Sequence, residues 1–424
     1  MKSGLLFLSL LFVATALPAH AVLPAYPCDS SNGSISLPAG FCATVFADDL
    51  GTARHIVVNS NGDVYVALLR PEHSGGIVAL RDTHGNGHAD VVKYFGKYGG
   101  TGIGIHHSYL YFATTTEILR YKLLPGQLLP QTPPEVVVSG FPEQHEHAAK
   151  TFAFDGAGHL YVNVGAPSNA CQRQDRAAGS PGITPCPYLK EHGGIWEFNA
   201  DKLNQHFPQD GQHYATGIRN AVAITWNAST DALYAVQMGR DQLYDNWPKL
   251  YTTPQSAELP AEEFFLIHRS DNFGWPYCYY DQLQQKNVSA PEYGGDGKKV
   301  GSCDKYTQPI LAFPGHWAPE ALLFYTGKQF PAAYHDGAFI AFHGSWNRAP
   351  LPQAGYKVVF VTFKGLLPAG GYKTFANGFA GETPLMSPSD AHFRPNGVAQ
   401  GPDGALYISD SQHGRIWRVI YRGR

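Results

Sequence analysis

Basic and imidazole side chains recur at one kind of position in this chain, at the start of an apolar run that alternates with polar residues. An imidazole can accept a proton near neutral pH, and arginines suit carboxylate or phosphate groups. Brought together, such residues would form a basic site for a small polyanionic ligand. The positions are Arg54, Gly100-Thr101-Gly102, Glu146-His147, Arg219-Asn220, His316-Trp317 and Arg394-Pro395-Asn396.

The segments that carry these residues resemble one another. Each is an alternating apolar run, a polar turn with Gly, Asn or Asp, and a second alternating run, which is typical of an antiparallel hairpin. Most units continue into a further strand. The repeat predicts an all-β fold, a six-bladed β-propeller with long inserted loops; two β-sandwiches would not explain the count. The six units begin at Ala53, Gly100, His147, Ile218, Ala318 and Arg394.

The propeller prediction brings the basic residues into one place. Residues that precede the inner strands gather at one end of the central channel, so the three arginines should converge there with histidine and asparagine side chains. Like charges held together cost free energy unless an anion lies among them. The alternative is that each arginine pairs locally with a loop carboxylate, which is common for a single arginine.

The N-terminal segment indicates that the protein is exported. The first 21 residues, MKSGLLFLSLLFVATALPAHA, have the apolar run and the small residues of a signal peptide, and an uncleaved anchor is the alternative. The mature propeller domain would span residues 22–424 with no membrane span, in the periplasm or secreted. A net charge of −3 without long runs of like charge gives no indication of a nucleic-acid partner.

Six cysteines fall into three groups of two that are close in sequence. In an oxidising compartment local disulfides are expected, although the sequence leaves their connectivity open. No Cys-x-x-Cys-His motif occurs, so no covalent haem is expected on this chain. The stretch DTHGNGHAD (82–90) has acidic residues at alternate positions, but His84 and Lys93 stand where a calcium loop needs oxygen ligands, which favours a hairpin turn.

Several stretches together resemble the glucose/sorbosone dehydrogenase family of soluble quinoprotein sugar dehydrogenases, in its sorbosone-dehydrogenase-like branch. They are GIRNAVAITW (217–226), DNFGWPYCYYD (271–281), FHGSWNRAP (342–350) and RPNGVAQGPDGALYISD (394–410). The likeness extends from about Gly40 to the C-terminus. It implies a six-bladed propeller with pyrroloquinoline quinone, a tricarboxylate, bound over the channel and a Ca²⁺ ion against the quinone.

The resemblance also assigns expected roles. It places the general base at His147 and calcium-binding backbone carbonyls at Gly239 and Arg240. Arg54 and His316 join the expected cofactor site through the repeat alone. The cofactor contacts implied by the resemblance are Arg219, Asn220, Arg394 and, near another basic contact of the family, Arg348.

One departure from the family concerns the catalytic histidine. In the soluble glucose dehydrogenases an aspartate orients this residue, but Ala166 or Pro167 stands at the comparable place. Glu146 or a backbone carbonyl would have to take over. Arg219-Asn220 is also followed by Ala-Val-Ala, where the family often has proline.

The expected function is an exported oxidoreductase that oxidises an aldose or a related sugar or alcohol. Hydride would pass to calcium-bound pyrroloquinoline quinone and then, as electrons, to a separate acceptor such as a cytochrome. Two alternatives come from other classes. A calcium-dependent lactonase-like hydrolase needs carboxylate and Asn side chains at the channel, and a non-catalytic glycan-binding propeller needs aromatic platforms at its loop tips.

Overall fold

The structure, a computed structural model, describes residues 28–381 and 383–423. The predicted signal peptide, residues 1–21, lies outside the described residues. Six sheets, each built on four antiparallel strands, make up almost all of the regular structure described. The two α-helices within the described residues are short: α1 (Leu243–Asn246) and α2 (Thr253–Glu258). The prediction of an all-β, six-bladed propeller is therefore confirmed.

The blades follow one another along the chain, and the first strand of the chain belongs to the last blade. Blade 6 contains β1 (Phe41–Ala47). Blade 1 contains β2 (Ala53–Val58), β3 (Val64–Glu72), β4 (Gly75–Arg81) and β5 (Val91–Phe95). Blade 2 contains β6 (Ile103–His106), β7 (Tyr109–Ala113), β8 (Ile118–Lys122) and β9 (Glu135–Ser139).

Blade 3 contains β10 (Phe152–Phe154), β11 (His159–Val164), β12 (Gly194–Asn199) and β14 (Gln212–Thr216); β13 (Gln205–His206) adds a short parallel fifth strand to blade 2. Blade 4 contains β15 (Ala223–Asn227), β16 (Ala232–Gln237), β17 (Glu262–Ile267) and β20 (Leu311–Phe313). A separate hairpin, β18 (Cys278–Asp281) and β19 (Lys286–Ser289), lies in the loop between the last two.

Blade 5 contains β21 (Pro319–Phe324), β22 (Ala338–Phe342), β23 (Lys357–Lys364) and β24 (Leu367–Ala376). Blade 6 is completed by β25 (Pro395–Gln400), β26 (Leu406–Asp410) and β27 (Ile416–Tyr421). Strand β1 pairs antiparallel with β27, so the two ends of the chain share one sheet. This pairing ties the ring shut and covers a sheet edge that would otherwise be open.

The innermost strands form the wall of the channel. Strand β2 contacts β6 and β25, β10 contacts β6 and β15, and β21 contacts β15 and β25, which completes the circle. Middle strands are covered by neighbouring blades on both faces, so β22, AFIAF, is buried along its whole length. The outermost β5, VVKYF, is half-buried or exposed. Burial therefore falls from the middle of a blade to its rim.

Long loops between strands carry the disulfides and the helices. The bonds are Cys28–Cys42, Cys171–Cys186 and Cys278–Cys303, which confirms the expectation of local disulfides. The stretch DTHGNGHAD connects β4 to β5. There the Asp82 carboxylate accepts hydrogen bonds from the backbone N–H groups of His84, Asn86 and Gly87. The hairpin-turn interpretation is confirmed, because this carboxylate caps a turn.

Candidate active site

A cavity of about 290 Å³ opens at the end of the ring where the inner strands begin. Five of the six blades contribute to its wall, as the repeat predicted. The wall includes Arg54, Thr101, His147, Asn220 and Glu320. Polar side chains that are far apart in the sequence therefore meet in one concave space, which is the usual shape of a small-molecule site.

His147 lies in the loop between β9 and β10, not at the start of the inner strand as expected, because β10 begins only at Phe152. Its backbone has a φ of 54°, in the left-handed region that histidine adopts uncommonly. The Nδ1 atom lies 2.6 Å from the carbonyl oxygen of Ala166. A carbonyl only accepts, so Nδ1 carries the proton and Nε2 keeps its lone pair.

The Ala166 carbonyl therefore occupies the place of the family's orienting aspartate. Ala166 is fully buried, and its own N–H donates to the carbonyl of Arg219, so the peptide is held from both sides. Burial lowers the pKa of the His147 imidazole, and the nearby Arg219 guanidinium lowers it further. The imidazole is thus neutral and able to accept a proton, and an anion in the cavity would raise its pKa.

Arg219 is close to His147 but its guanidinium is already fully engaged. It donates to the Asp241 carboxylate at 2.7 Å, to Asn169 through the backbone and side-chain oxygens, and to the carbonyl of Gly239 at 2.8 Å. The residue is 3% exposed. Arg219 therefore follows the alternative considered for the sequence, in which an arginine pairs with a loop carboxylate, here that of Asp241.

Asp241 is the buried centre of a polar network that we call the Asp241 network: Glu146, Arg176, Arg219, Asp241 and Asn347. Its Oδ2 also accepts from Arg176 at 3.0 Å, and its Oδ1 accepts from the Asn347 amide at 2.7 Å. Arg176 in turn holds the Glu146 carboxylate with two hydrogen bonds. These cations keep the pKa of Asp241 well below its usual range although burial opposes this.

A second group of charges, which we call the Glu320 network, consists of Arg54, Glu320 and Arg394, whose charges are close enough to interact. Burial raises the pKa of Glu320, and the two guanidinium groups partly offset this effect. Arg394 donates from Nε and Nη2 to the backbone carbonyls of His343 and Gly344. The Nε of Arg54 is buried without a hydrogen-bond partner among the described residues. Arg54 and Glu320 of this network line the cavity, and the Arg54 Nε still lacks an acceptor among the described residues.

The remaining predicted residues are placed as follows. Asn220 lines the cavity, and its Oδ1 accepts from Asn163 at 3.0 Å. His316 is buried beside Asp241, with Nδ1 at 3.8 Å from Oδ1, and its Nε2 contacts the carbonyl of Ser256. Arg348 lies away from the cavity wall, held by Glu258 at 2.6 Å and by backbone carbonyls near α2.

Of the two carbonyls predicted to bind calcium, the one of Gly239 already accepts a hydrogen bond from the protein. The Gly239 carbonyl accepts from Arg219, and the Arg240 side chain pairs with the buried carboxylate of Glu292 at 2.6 Å. Sequence reasoning did not identify Asp241 or Glu320 as members of the site. Asp241 directly follows Gly239-Arg240, and Glu320 lies at the start of an inner strand, so position relative to the blades was the available signal.

Solved structures with the same fold include the holo form of the pyranose dehydrogenase PQQ domain from Coprinopsis cinerea. That match has 20% sequence identity and a TM-score of 0.73, and covers 94% of this chain and 99% of that one. A PQQ-bound aldose sugar dehydrogenase from Streptomyces coelicolor aligns over 91% of this chain and 99% of that one, at 17% identity and a TM-score of 0.55.

Among curated proteins, an uncharacterized protein from Borreliella burgdorferi is 31% identical over 208 residues, which are 49% of this chain and 48% of that protein. A pyrroloquinoline quinone-dependent pyranose dehydrogenase from Coprinopsis cinerea is 26% identical over 281 residues, 57% of this chain and 36% of that one. The chain thus spans half or less of these relatives. The family model described as TrAA12-like matches residues 35–422. The resemblance to quinoprotein sugar dehydrogenases is confirmed at the level of family, and the chain belongs to the TrAA12-like family.

Proposed function

We propose that the protein is an exported quinoprotein oxidoreductase that oxidises an aldose or a related sugar or alcohol with pyrroloquinoline quinone, with His147 as the general base. One observation carries the proposal. A neutral imidazole, held by a backbone carbonyl, shares a cavity with Arg54 and Asn220. The names of the Coprinopsis and Streptomyces relatives support the same chemistry.

The residues at the cavity suit the quinone tricarboxylate. Arg54 has a buried Nε without a partner, which is the kind of donor that a carboxylate would satisfy. Arg394 lies close enough to influence the pKa of the same Glu320, and its positive charge would add to the attraction. We therefore assign the cofactor's carboxylates to Arg54 and Asn220, which line the cavity, while Arg394, which is not part of the wall, contributes its charge. When bound, the quinone supplies the hydride-accepting carbonyl carbon.

The chain itself supplies the proton acceptor and its orientation. His147 would take the substrate hydroxyl proton at Nε2, because Nδ1 is already bound to Ala166. Positive charge that develops on the imidazole would be stabilised by Glu146 and Asp241, whose charges raise the pKa of His147 against the effect of burial. Arg219 does not line the cavity and acts indirectly, by holding Asp241 in position.

Calcium at Gly239 and Arg240 does not fit the arrangement seen here. An ion at the Gly239 oxygen would meet the Arg219 guanidinium, whose Nη1 lies 2.8 Å away. Calcium remains an expectation from the resemblance, with a definite requirement: Arg219 must release that carbonyl.

Compartment and electron transfer complete the proposal. Three disulfides are typical of an oxidising compartment, which supports a periplasmic or secreted protein. None of the helices in the described ranges is long and apolar enough to cross a membrane. We propose that electrons leave to a separate acceptor, a cytochrome or another mediator.

The test is reconstitution of the purified protein with pyrroloquinoline quinone, with and without Ca²⁺, followed by dye reduction with a panel of aldoses. His147→Asn should lower kcat by about 10²–10⁴-fold, the usual contribution of a general base, while Asn tolerates the left-handed backbone. The matched control is His73→Asn, which is also a histidine in the left-handed region (φ 46°), exposed and outside the cavity wall, and should keep most of the activity.

The alternatives give different results in this experiment. A lactonase-like hydrolase would open lactones whether or not quinone is added, and a glycan-binding propeller would bind sugars without reducing the dye. Equal rates in wild type and His147→Asn, with quinone bound in both, would exclude His147 as the base.

A further inference from the structure

Two histidines and an aspartate meet at the end of the propeller opposite the cavity. Strand β6 starts near Thr101, which lines the cavity, and ends at His106. His107 follows in the turn, and Asp201 lies just beyond the end of β12 in blade 3. One ligand atom from each residue lies within 4.8 Å of the other two. The group therefore bridges blades 2 and 3.

The donor atoms of His106 and Asp201 are separated by a distance that one shared cation can span. His106 Nε2 lies 3.7 Å from the nearer Asp201 carboxylate oxygen, which is too far for a hydrogen bond. That Nε2 is buried and has no hydrogen-bond partner among the described residues. Two donors at this separation can both reach one ion, since bonds from Zn²⁺ to nitrogen or oxygen are about 2.0–2.2 Å.

Packing holds one of the imidazoles in place, and solvent reaches the other two ligands. His106 stacks on Phe154 with ring centroids 4.8 Å apart, which restricts its orientation. His107 and Asp201 are exposed and give access from solvent. The nearby cation, Arg120, is paired with Glu135 at 2.8 Å.

We propose that His106, His107 and Asp201 form a binding site for a divalent transition-metal ion, Zn²⁺, Cu²⁺ or Ni²⁺, with water in the remaining positions. Imidazole nitrogen favours these ions, whereas Ca²⁺ and Mg²⁺ prefer sites made of oxygen alone. Since its ligands come from two blades, a bound ion would cross-link them and stabilise the folded protein. The site is separate from the cavity and independent of the quinone.

The test is a titration of the full mature chain, without a polyhistidine tag and stripped of metal, with Zn²⁺ in the presence of excess Ca²⁺. Wild type should bind one more equivalent of Zn²⁺ than His107→Asn or Asp201→Asn, or bind it at least about tenfold more tightly. Asn suits the positive φ of 52° at His107 and matches the shape of Asp201. With Cu²⁺, the electron paramagnetic resonance spectrum of wild type should show coupling to two imidazole nitrogens.

The matched control is His268→Asn. His268 also lies beside an aspartate, Asp271, at 3.5 Å, and belongs to no such three-residue group among the described residues. It should bind Zn²⁺ as wild type does. Thermal unfolding without metal checks that each variant is folded, and Zn²⁺ should raise the midpoint of wild type and of His268→Asn only. Identical Zn²⁺ stoichiometry and affinity in wild type, His107→Asn and Asp201→Asn would overturn the proposal.

Discussion

Two arginine-carboxylate networks lie at the same end of the ring and differ in how completely they are satisfied. In the Asp241 network, Arg219 makes five hydrogen bonds when its backbone N–H is included, and Asp241 accepts from three side chains. In the Glu320 network, Arg54 keeps a buried Nε unpaired. The first network is closed, whereas the second borders the cavity and can still bind a ligand.

The difference shows that equivalent positions in a repeat need not share a role. Arg54 and Arg219 both stand near the start of inner strands, yet only Arg54 belongs to the cavity wall. A buried ion pair that is fully hydrogen-bonded fixes local geometry, and breaking it is costly. A buried donor without a partner is unfavourable until a ligand arrives. We infer that the Asp241 network shapes the site and the Glu320 network binds the cofactor.

The largest expected effect is on stability. Asp241→Ala leaves the buried Arg219 without its carboxylate, so the free energy of unfolding should fall by about 3–5 kcal/mol. Chemical denaturation at neutral pH measures it. Lys202→Ala, which removes an exposed pair with Asp210, serves as the control and should hardly change the midpoint. An equally small effect of Asp241→Ala would mean that the Asp241 network is not structural.

The second prediction concerns the Glu320 network. Arg54→Gln should weaken quinone binding by about 10- to 150-fold, because a hydrogen bond to a charged group is worth about 1.5–3 kcal/mol. The denaturation midpoint should change less than in Asp241→Ala, since no hydrogen bond from Arg54 Nε to the protein is lost. A fluorescence titration with pyrroloquinoline quinone measures the affinity. Arg348→Gln, outside the cavity wall, is the matched control and should bind quinone as wild type does.

The smallest effect is a change in how stability depends on pH. Glu263 lies behind the Asp241 network, where it accepts from Gln237, whose own Oε1 accepts from the Arg219 N–H. Burial raises the pKa of Glu263 to about 8 from 4.5. The folded state therefore retains this proton, and stability falls as pH rises from about 4.5 through about 8.

Glu263→Gln keeps an oxygen that can accept from Gln237 but cannot titrate. The variant should gain stability relative to wild type as pH rises from 5 to 9, measured as the difference between urea midpoints. Parallel pH profiles for the two proteins would show that Glu263 is ionised in the folded state throughout.

The hairpins were predictable because alternation of apolar residues is a local property of the sequence. All six predicted inner hairpins exist, from β2–β3 to β25–β26. The third strand of blade 4, EEFFLI, was not predicted as a strand, since its first two residues are carboxylates that are buried only in the folded ring. The pairing of β1 with β27 was not foreseen either, because it joins opposite ends of the chain.

The candidate site was also predictable only in part. The repeat placed Arg54, His147 and Asn220 at a common cavity, since residues at the same phase of a repeat come to the same end of a ring. It could not show that Ala166 orients His147, because any residue type has a backbone carbonyl and only the path of the loop brings this one near. The repeat also could not show that Arg219 is held by protein groups whereas Arg54 keeps an unpaired donor.

By itself, the sequence determined the blades, their order and the end of the ring at which the basic residues gather, because strand period and turn chemistry depend on near neighbours. Only the tertiary structure decided which of those residues are free to bind. That depends on carboxylates and carbonyls supplied by distant loops, such as Asp241 for Arg219 and Ala166 for His147. Burial makes each such pairing decisive, since a buried charge or donor must find its partner in the protein or in a ligand.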